Sequence, residues 1–371
     1  MTDFPVVLTT AVDNTTDALA KHLNNLETKV GVDDSAVTTS LDYRSKVLMP
    51  LQSLARQAII NGNFDVWQRG TSFSGAANAD YTADRWAVAK AGSSTVDVTQ
   101  ETFTLGQTDV PLEPAYYVSN DVTSNSAASD FIALSQKIES VRSFAGQSVT
   151  ISFYAKAGSA LDLSIEVYQN FGTGGSPSTA VSADVEKITL TTSWAKYSVT
   201  LAVDSITGKT VGTTDDGYLL ILLWFDAGSN YNVRTDSLGN QTGVFDISQV
   251  QLCAGSVALP FQPKSLGQEL ADCQRYYIQD GIDTEYPLTF ISTTTTNAWG
   301  RCTFPVTMRA IPTVVLYRDS AANTADEFGI GNKTGVTASG ITSQGFSRIT
   351  TSSTWSDNAA IRFGYIATSE L

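Results

Sequence analysis

Between residues 147 and 252 apolar and polar side chains alternate in short runs. Val149, Ile151, Phe153 and Ala155 take every second position of 147–156, and Leu161, Leu163, Ile165 and Val167 repeat the pattern after a Gly158-Ser159 turn. A period of two puts one set of side chains on a buried face and the other in solvent, so each run predicts a strand. Residues 197–203 and 244–252 predict two more. The stretch 218–225, Tyr-Leu-Leu-Ile-Leu-Leu-Trp-Phe, is apolar at both parities. It predicts a central strand covered on both faces, with Trp224 buried.

The two ends read differently. In 10–31, Val12, Thr16, Leu19, Leu23, Leu26 and Val30 recur at alternating spacings of four and three, and Gly31 follows as a C-terminal helix stop. Leu19, Leu23, Leu26 and Val30 are the candidate oligomerisation stripe; the same spacing equally fits one amphipathic helix packed on another element. Residues 41–57 form a second short helix or a linker, broken by Pro50. After Leu259-Pro260-Phe261-Gln262-Pro263, which reads as a boundary, Leu266, Leu270, Cys273 and Tyr277 fall on one stripe of a short helix. Strands are expected around 302–308, 313–317, 346–350 and 361–366. The polar, glycine-punctuated stretch 319–343 is expected to be a long exposed loop, the kind of segment that carries binding residues.

These patterns divide the chain into a short N-terminal helical segment over 1–56, a β-sandwich over 57–263 and a smaller β domain over 264–371. The fold class is mostly β. Composition agrees: 42% of residues are hydrophobic and only 16% charged, with Gly, Ser, Thr, Asn and Asp between the apolar runs.

Charge and rare residues exclude several functions. The formal net charge is −14, and acidic side chains outnumber basic ones two to one between residues 57 and 263. Such a surface repels phosphate backbones, so no nucleic-acid partner is expected. Cys253, Cys273 and Cys302 form no CxxC pair and His22 is the single histidine; zinc has too few ligands, and the cysteines read as small core residues. One histidine, in the expected N-terminal helix, cannot serve a Ser-His-Asp triad in either β domain without a partner chain, and neither a Gly-x-Ser-x-Gly elbow nor a phosphate loop occurs. The adjacent carboxylates Asp215-Asp216 and Asp33-Asp34 sit in polar loops, and neighbours on a strand would point to opposite faces. No catalytic residue is expected. Met1-Thr2-Asp3-Phe4-Pro5 lacks the basic start and apolar stretch of a signal peptide, so export by a standard signal is not expected, nor is membrane insertion.

Several segments carry a family resemblance. Asn61-Gly-Asn-Phe-Asp-Val-Trp-Gln-Arg-Gly70, then Tyr81-Thr-Ala-Asp-Arg-Trp86, resembles the opening of a module found in bacteriophage tail-fibre and appendage proteins. That module is similar to the jelly-roll carbohydrate-binding modules of bacterial polysaccharide-degrading enzymes. Thr191-Thr-Ser-Trp-Ala-Lys-Tyr197 resembles its Trp-then-Tyr strand entry, and Phe245-Asp-Ile-Ser-Gln-Val-Gln-Leu252 its closing strand. Gly267–Tyr277 and Phe304–Pro312 also look phage-like. The resemblance implies a central jelly roll, a virion location after synthesis in the host cytoplasm, a homotrimer, contacts to other virion proteins through the N-terminus and binding of a host-surface glycan. It leaves open a purely structural neck, capsid or tail appendage, and a detached bacterial carbohydrate-binding protein.

The same resemblance implies a structural calcium, for which Asp65 and Asp246 are the best-matching ligands; both also read as ordinary turn or edge residues. Tyr116, Tyr117, Tyr168, Phe171 and Tyr231, in polar or Gly/Asn-flanked surroundings, are the glycan-binding candidates. Trp67, Trp86 and Trp224 are expected in the architecture rather than in a groove, and large aromatics such as Trp194 are more often core.

Overall fold

The protein is described by a computed structural model covering residues 58–282, 288–318 and 320–371. The helical segment expected over 1–56, with Leu19, Leu23, Leu26 and Val30, lies outside the described residues. From Ala58 to Leu371 the chain is one compact unit, mostly β, with two separate apolar cores.

The first core lies between two antiparallel sheets. Its strands are β1 (Ser72–Phe73), β2 (Ala87–Ala91), β3 (Thr95–Thr102), β4 (Tyr116–Thr123), β5 (Phe131–Glu139) and β6 (Ser148–Ala157). They continue with β7 (Leu161–Asn170), β8 (Val181–Leu190), β9 (Ala195–Ala202), β10 (Tyr218–Ala227) and β11 (Gly243–Ala254). One sheet runs β1-β3-β4-β11-β6-β9 and the other β2-β5-β10-β7-β8. The period-two residues do what their spacing dictates. Val149, Ile151, Phe153 and Ala155 of β6 and Leu163, Ile165 and Val167 of β7 are buried in the shared core.

Strand β10 is central, between β5 and β7. Leu219, Ile221, Leu223 and Phe225 enter the main core, and the Phe225 and Phe245 rings lie 4.8 Å apart. On its other face Leu222 and Trp224 are covered by Leu238 and Tyr231 from the segment after β10. Each such buried side chain contributes about 1.5–3 kcal/mol.

The second core is built from β12 (Tyr277–Asp280), β13 (Leu288–Ser292), β14 (Asn297–Thr303), β15 (Thr313–Arg318) and β16 (Ala321–Ala322). The remaining strands are β17 (Thr324–Glu327), β18 (Gly331–Thr334), β19 (Val336–Ser339), β20 (Gly345–Thr351) and β21 (Ala360–Thr368). Strand β21 organises them. Its first half pairs with β13 and β17, its second half with β12 and β15.

Two expectations are corrected here. The stretch 319–343 is not a long exposed loop: it holds β17, β18 and β19, and all four residues of β17 are buried. Asp326 is paired with Arg318 and Arg362, and Glu327 with Lys333 at 3.0 Å, so charges that look like loop residues are neutralised inside. The helix after the prolines, α1 (Leu266–Gln274), ends before Tyr277, which begins β12. It buries Glu269 and Cys273 while Leu266 is exposed. The Glu269 carboxylate accepts the Asn61 N–H at 2.5 Å from this inward face. All three cysteines are buried free thiols.

The segments that carry the opening resemblance lie where the two cores meet. The Asn61 side chain accepts from Val66 N and donates to the Val66 and Asp84 carbonyls, while the Trp86 indole donates to Asn61 O. Gln68 reaches the Tyr277 carbonyl, and Arg69 and Arg85 both pair with Glu370. Trp86 is fully buried and Trp67 stacks on Phe73, so both are architectural.

Candidate functional site: an aromatic platform on the six-stranded sheet

The outer face of the six-stranded sheet follows from strand alternation. On β4, Val118 is buried in the core, so its neighbour Tyr117 faces outward. Asp246 of β11 lies between Ser119 of β4 and Lys156 of β6 in the register, and the Lys156 ammonium stands 3.3 Å from its carboxylate. Burial raises the Asp246 pKa, and the lysine works against that shift. Tyr117 is raised by burial first, then by the charges of Asp246 and Glu101.

Two rings, Tyr117 and Trp194, lie by the Lys156 ammonium of this ion pair, and a third, Phe103, packs on both. The Phe103 ring, just after β3, is 4.8 Å from Tyr117 and 5.1 Å from Trp194, the residue before β9. Trp194 meets Tyr117 edge to face at 5.2 Å, and Lys156 lies 5.4 Å from the indole. All three rings are half-buried. A pocket of about 280 Å³ opens beside them, walled by Phe103, Leu105, Gln107, Glu113, Pro114 and Tyr116. Leu105 is 95% exposed at its rim.

The five sequence candidates do not form one groove. Tyr117 belongs to the platform and Tyr116 to the adjoining pocket. Tyr168 and Tyr231 lie with the five-stranded sheet instead: Arg234 covers the Tyr168 ring at 4.7 Å, and Tyr231 packs on Phe131 and Trp224. Phe171 is a correction. It is 1% exposed, because the turn after β7 folds its ring inward, so it presents no face to a ligand. Sequence reasoning missed Phe103 and took Trp194 for a core residue. The available signal was positional: both sit at strand ends, next to polar outward-facing positions.

Asp65 and Asp246 have no partner in common. Asp65 accepts from the Asn63 side chain and is raised by burial, whereas Asp246 is paired with Lys156. A different carboxylate pair is closely placed. Asp130 and Asp226, both buried, lie 3.3 and 3.0 Å from the single hydroxyl of Ser94. A Cβ on Gly92 would stand 1.7 Å from the Asp130 carboxylate, so that turn requires glycine. Among the described residues no three His, Cys, Asp or Glu side chains are grouped to hold a metal.

Two further carboxylates are held by close partners. Glu166, fully buried, receives two bonds of 2.8 Å from Arg234 and one from the Trp224 indole. Asp216 is held near 2 by hydrogen bonds from Thr173 and Thr214.

No protein-family model matches the sequence, and no curated protein matches it. Among solved structures, the enzymatically active domain of tailspike protein 4 of bacteriophage CBA120 is 13% identical, with 55% of this chain and 22% of that one aligned at a TM-score of 0.32. This chain thus spans well under two thirds of the tailspike structure. A family 11 carbohydrate-binding module from Clostridium thermocellum, solved with a mixed-linked tetrasaccharide, is 12% identical over 51% of this chain and 99% of its own, TM-score 0.30. A xylan-binding domain from Paenibacillus barcinonensis is 16% identical over 50% and 94%, TM-score 0.26.

Proposed function

We propose that this protein is a non-catalytic, glycan-binding subunit of a bacteriophage fibre or appendage, with the Phe103–Tyr117–Trp194 face as its sugar platform. The observation that carries the reading is three half-exposed rings packed together beside a compensated ion pair and an open pocket. Aromatic faces pack on the C–H faces of pyranose rings, and a few fixed polar groups set orientation. Lys156 and Asp246 cancel each other's charge, and the part-exposed Lys156 ammonium still offers a donor to sugar hydroxyls, so the platform suits a neutral saccharide. The rings stand on or beside sheet strands, which limits the ordering cost on binding. The resemblance of residues 61–86 and 191–197 to the phage module supports the virion setting. In this reading the N-terminus attaches and trimerises the subunit, and several weak sites gain apparent affinity by acting together.

The test is a neutral-glycan array probed with the full chain. Retention of a neutral oligosaccharide that falls about tenfold or more in Trp194→Ala and Tyr117→Ala is the expected result. If no neutral glycan is retained, or both variants bind as the parent does, the platform reading fails and a structural appendage takes its place.

A further inference from the structure

A second outward-facing surface stands out on the other core's sheet. In register across five strands, Ser339 of β19 pairs with Arg348 of β20, Arg348 with Trp299 of β14, Trp299 with Ile291 of β13, and Ile291 with Ala360 of β21. The Phe328 N–H bonds to the Ala360 carbonyl and extends the line. The alternate residues Phe290, Ala298, Ile349 and Ile361 fill the core, which forces this row outward. Trp299 is 48% exposed, Ile291 44% and Phe328 64%. The neighbouring outward positions, Thr337, Thr350 and Asn297, are short and polar.

The charges along this row differ from the other basic side chains of the second core. Arg348 donates Nε–H to Ser339 Oγ at 2.8 Å, which holds its guanidinium 5.3 Å from the Trp299 ring centroid. Among the described residues it has no carboxylate partner. Arg301, two positions beyond Trp299, is exposed and equally without one. Every other Lys or Arg after residue 263 is committed: Lys264 to Asp272, Arg275 to Glu139, Arg309 to the Ser369 carbonyl, Arg318 and Arg362 to Asp326, and Lys333 to Glu327. In a chain of net charge −14, two guanidinium groups without a carboxylate partner among the described residues, one of them held over an exposed indole, mark a place for an anion.

We propose that the Trp299–Arg348 row binds an acidic saccharide, a pyranose carrying a carboxylate. The indole and Ile291 offer a flat apolar strip for the ring. Ser339 pre-positions the Arg348 guanidinium, whose remaining N–H groups form the planar fork that matches a carboxylate in two parallel bonds. Short polar side chains along one side leave the strip accessible to an extended chain. This site is on a different sheet from the neutral-sugar platform and does not depend on it.

The experiment is an array of uronate- and sialate-bearing oligosaccharides with their neutral counterparts, probed with the full chain. Expected are retention of an acidic oligosaccharide over its neutral form and weakening at high salt. Trp299→Ala and Arg348→Gln should each lose about tenfold or more in affinity, Arg348→Gln should also lose the preference for the acidic form, and Trp194→Ala should bind it unchanged. The proposal is overturned if no acidic oligosaccharide is retained, if Trp299→Ala and Arg348→Gln bind as the parent does, or if Trp194→Ala abolishes the binding. It is also overturned if sedimentation shows self-association that Trp299→Ala removes, because a second copy then covers the row.

Discussion

Arg85 and Glu370, 285 residues apart, form an ion pair in which both side chains are at least nine-tenths buried. Arg85 also donates to the Lys137 carbonyl at 2.7 Å and lies 3.5 Å from the Tyr276 ring centroid, while Arg69 reaches the other Glu370 oxygen at 3.0 Å. One carboxylate thus fastens the second core to the edge of the first.

Removing that carboxylate leaves a buried guanidinium without its counter-charge. Glu370→Ala is expected to lower stability by about 3–5 kcal/mol, read as an earlier midpoint in urea unfolding of the full chain. Deleting 264–371 would expose the same flank, so a loss of binding in that truncation would not locate a glycan site. An unchanged midpoint in Glu370→Ala would mean that the Lys137 carbonyl and the Tyr276 ring suffice for Arg85.

Asp84 gives the same region a pH dependence. Burial, opposed by bonds from Gln68 and by Arg69, lifts its pKa from the usual carboxylate range to about 6. The folded state therefore holds this proton more tightly than the unfolded chain does. The contribution is full below about pH 4 and is lost as pH rises through 6, a change of roughly 3 kcal/mol. Asp84→Asn should flatten the difference between melts taken at pH 4.5 and 7. A parent and variant with parallel profiles would assign the effect elsewhere.

Gly62 owes its place to a close approach. A Cβ there would stand 2.0 Å from the Val250 carbonyl oxygen, a backbone atom in the irregular stretch of β11, and Val250 N–H bonds to Gly62 O at 2.8 Å. Gly62→Ala is expected to cost roughly 1–3 kcal/mol by overpacking, visible in a thermal melt. A variant as stable as the parent would show that this junction can open without loss.

The N-terminal stripe remains a matter of assembly. If Leu19, Leu23, Leu26 and Val30 form the proposed oligomerisation stripe, Leu23→Asp with Leu26→Asp would put charges where desolvating them is strongly unfavourable. Sedimentation should report a smaller particle than the parent. An unchanged mass would move the assembly contacts to the β strands.

Alternation over 147–170 and the doubly apolar run at 218–225 were enough to read the sandwich, because a period of two is a local property that burial on one face imposes directly. What stayed hidden depends on partners far along the chain. The strands of 319–343 look like loop because Asp326 meets Arg362 and Glu327 meets the Ser356 N–H, partners well outside the stretch. The platform was half legible. Tyr117 announces itself by its position on β4, but the exposure of Trp194 follows from its reach across β6 and β11 to Tyr117, which no neighbouring residue encodes. Phe171 misled because its polar flanks describe the turn and not the direction of the ring.

The link between Arg85 and Glu370 also sets a schedule. Ribosomes add roughly 5–20 residues per second, so the guanidinium is made about 15–60 s before its carboxylate. Until Glu370 is added, Arg85 lacks the carboxylate that neutralises it in the fold, and residues 61–86 lack their contacts to the second core. Strand β21, which closes the second core, delivers Glu370 two residues after it ends. Closing the second core and sealing the first are therefore nearly one event.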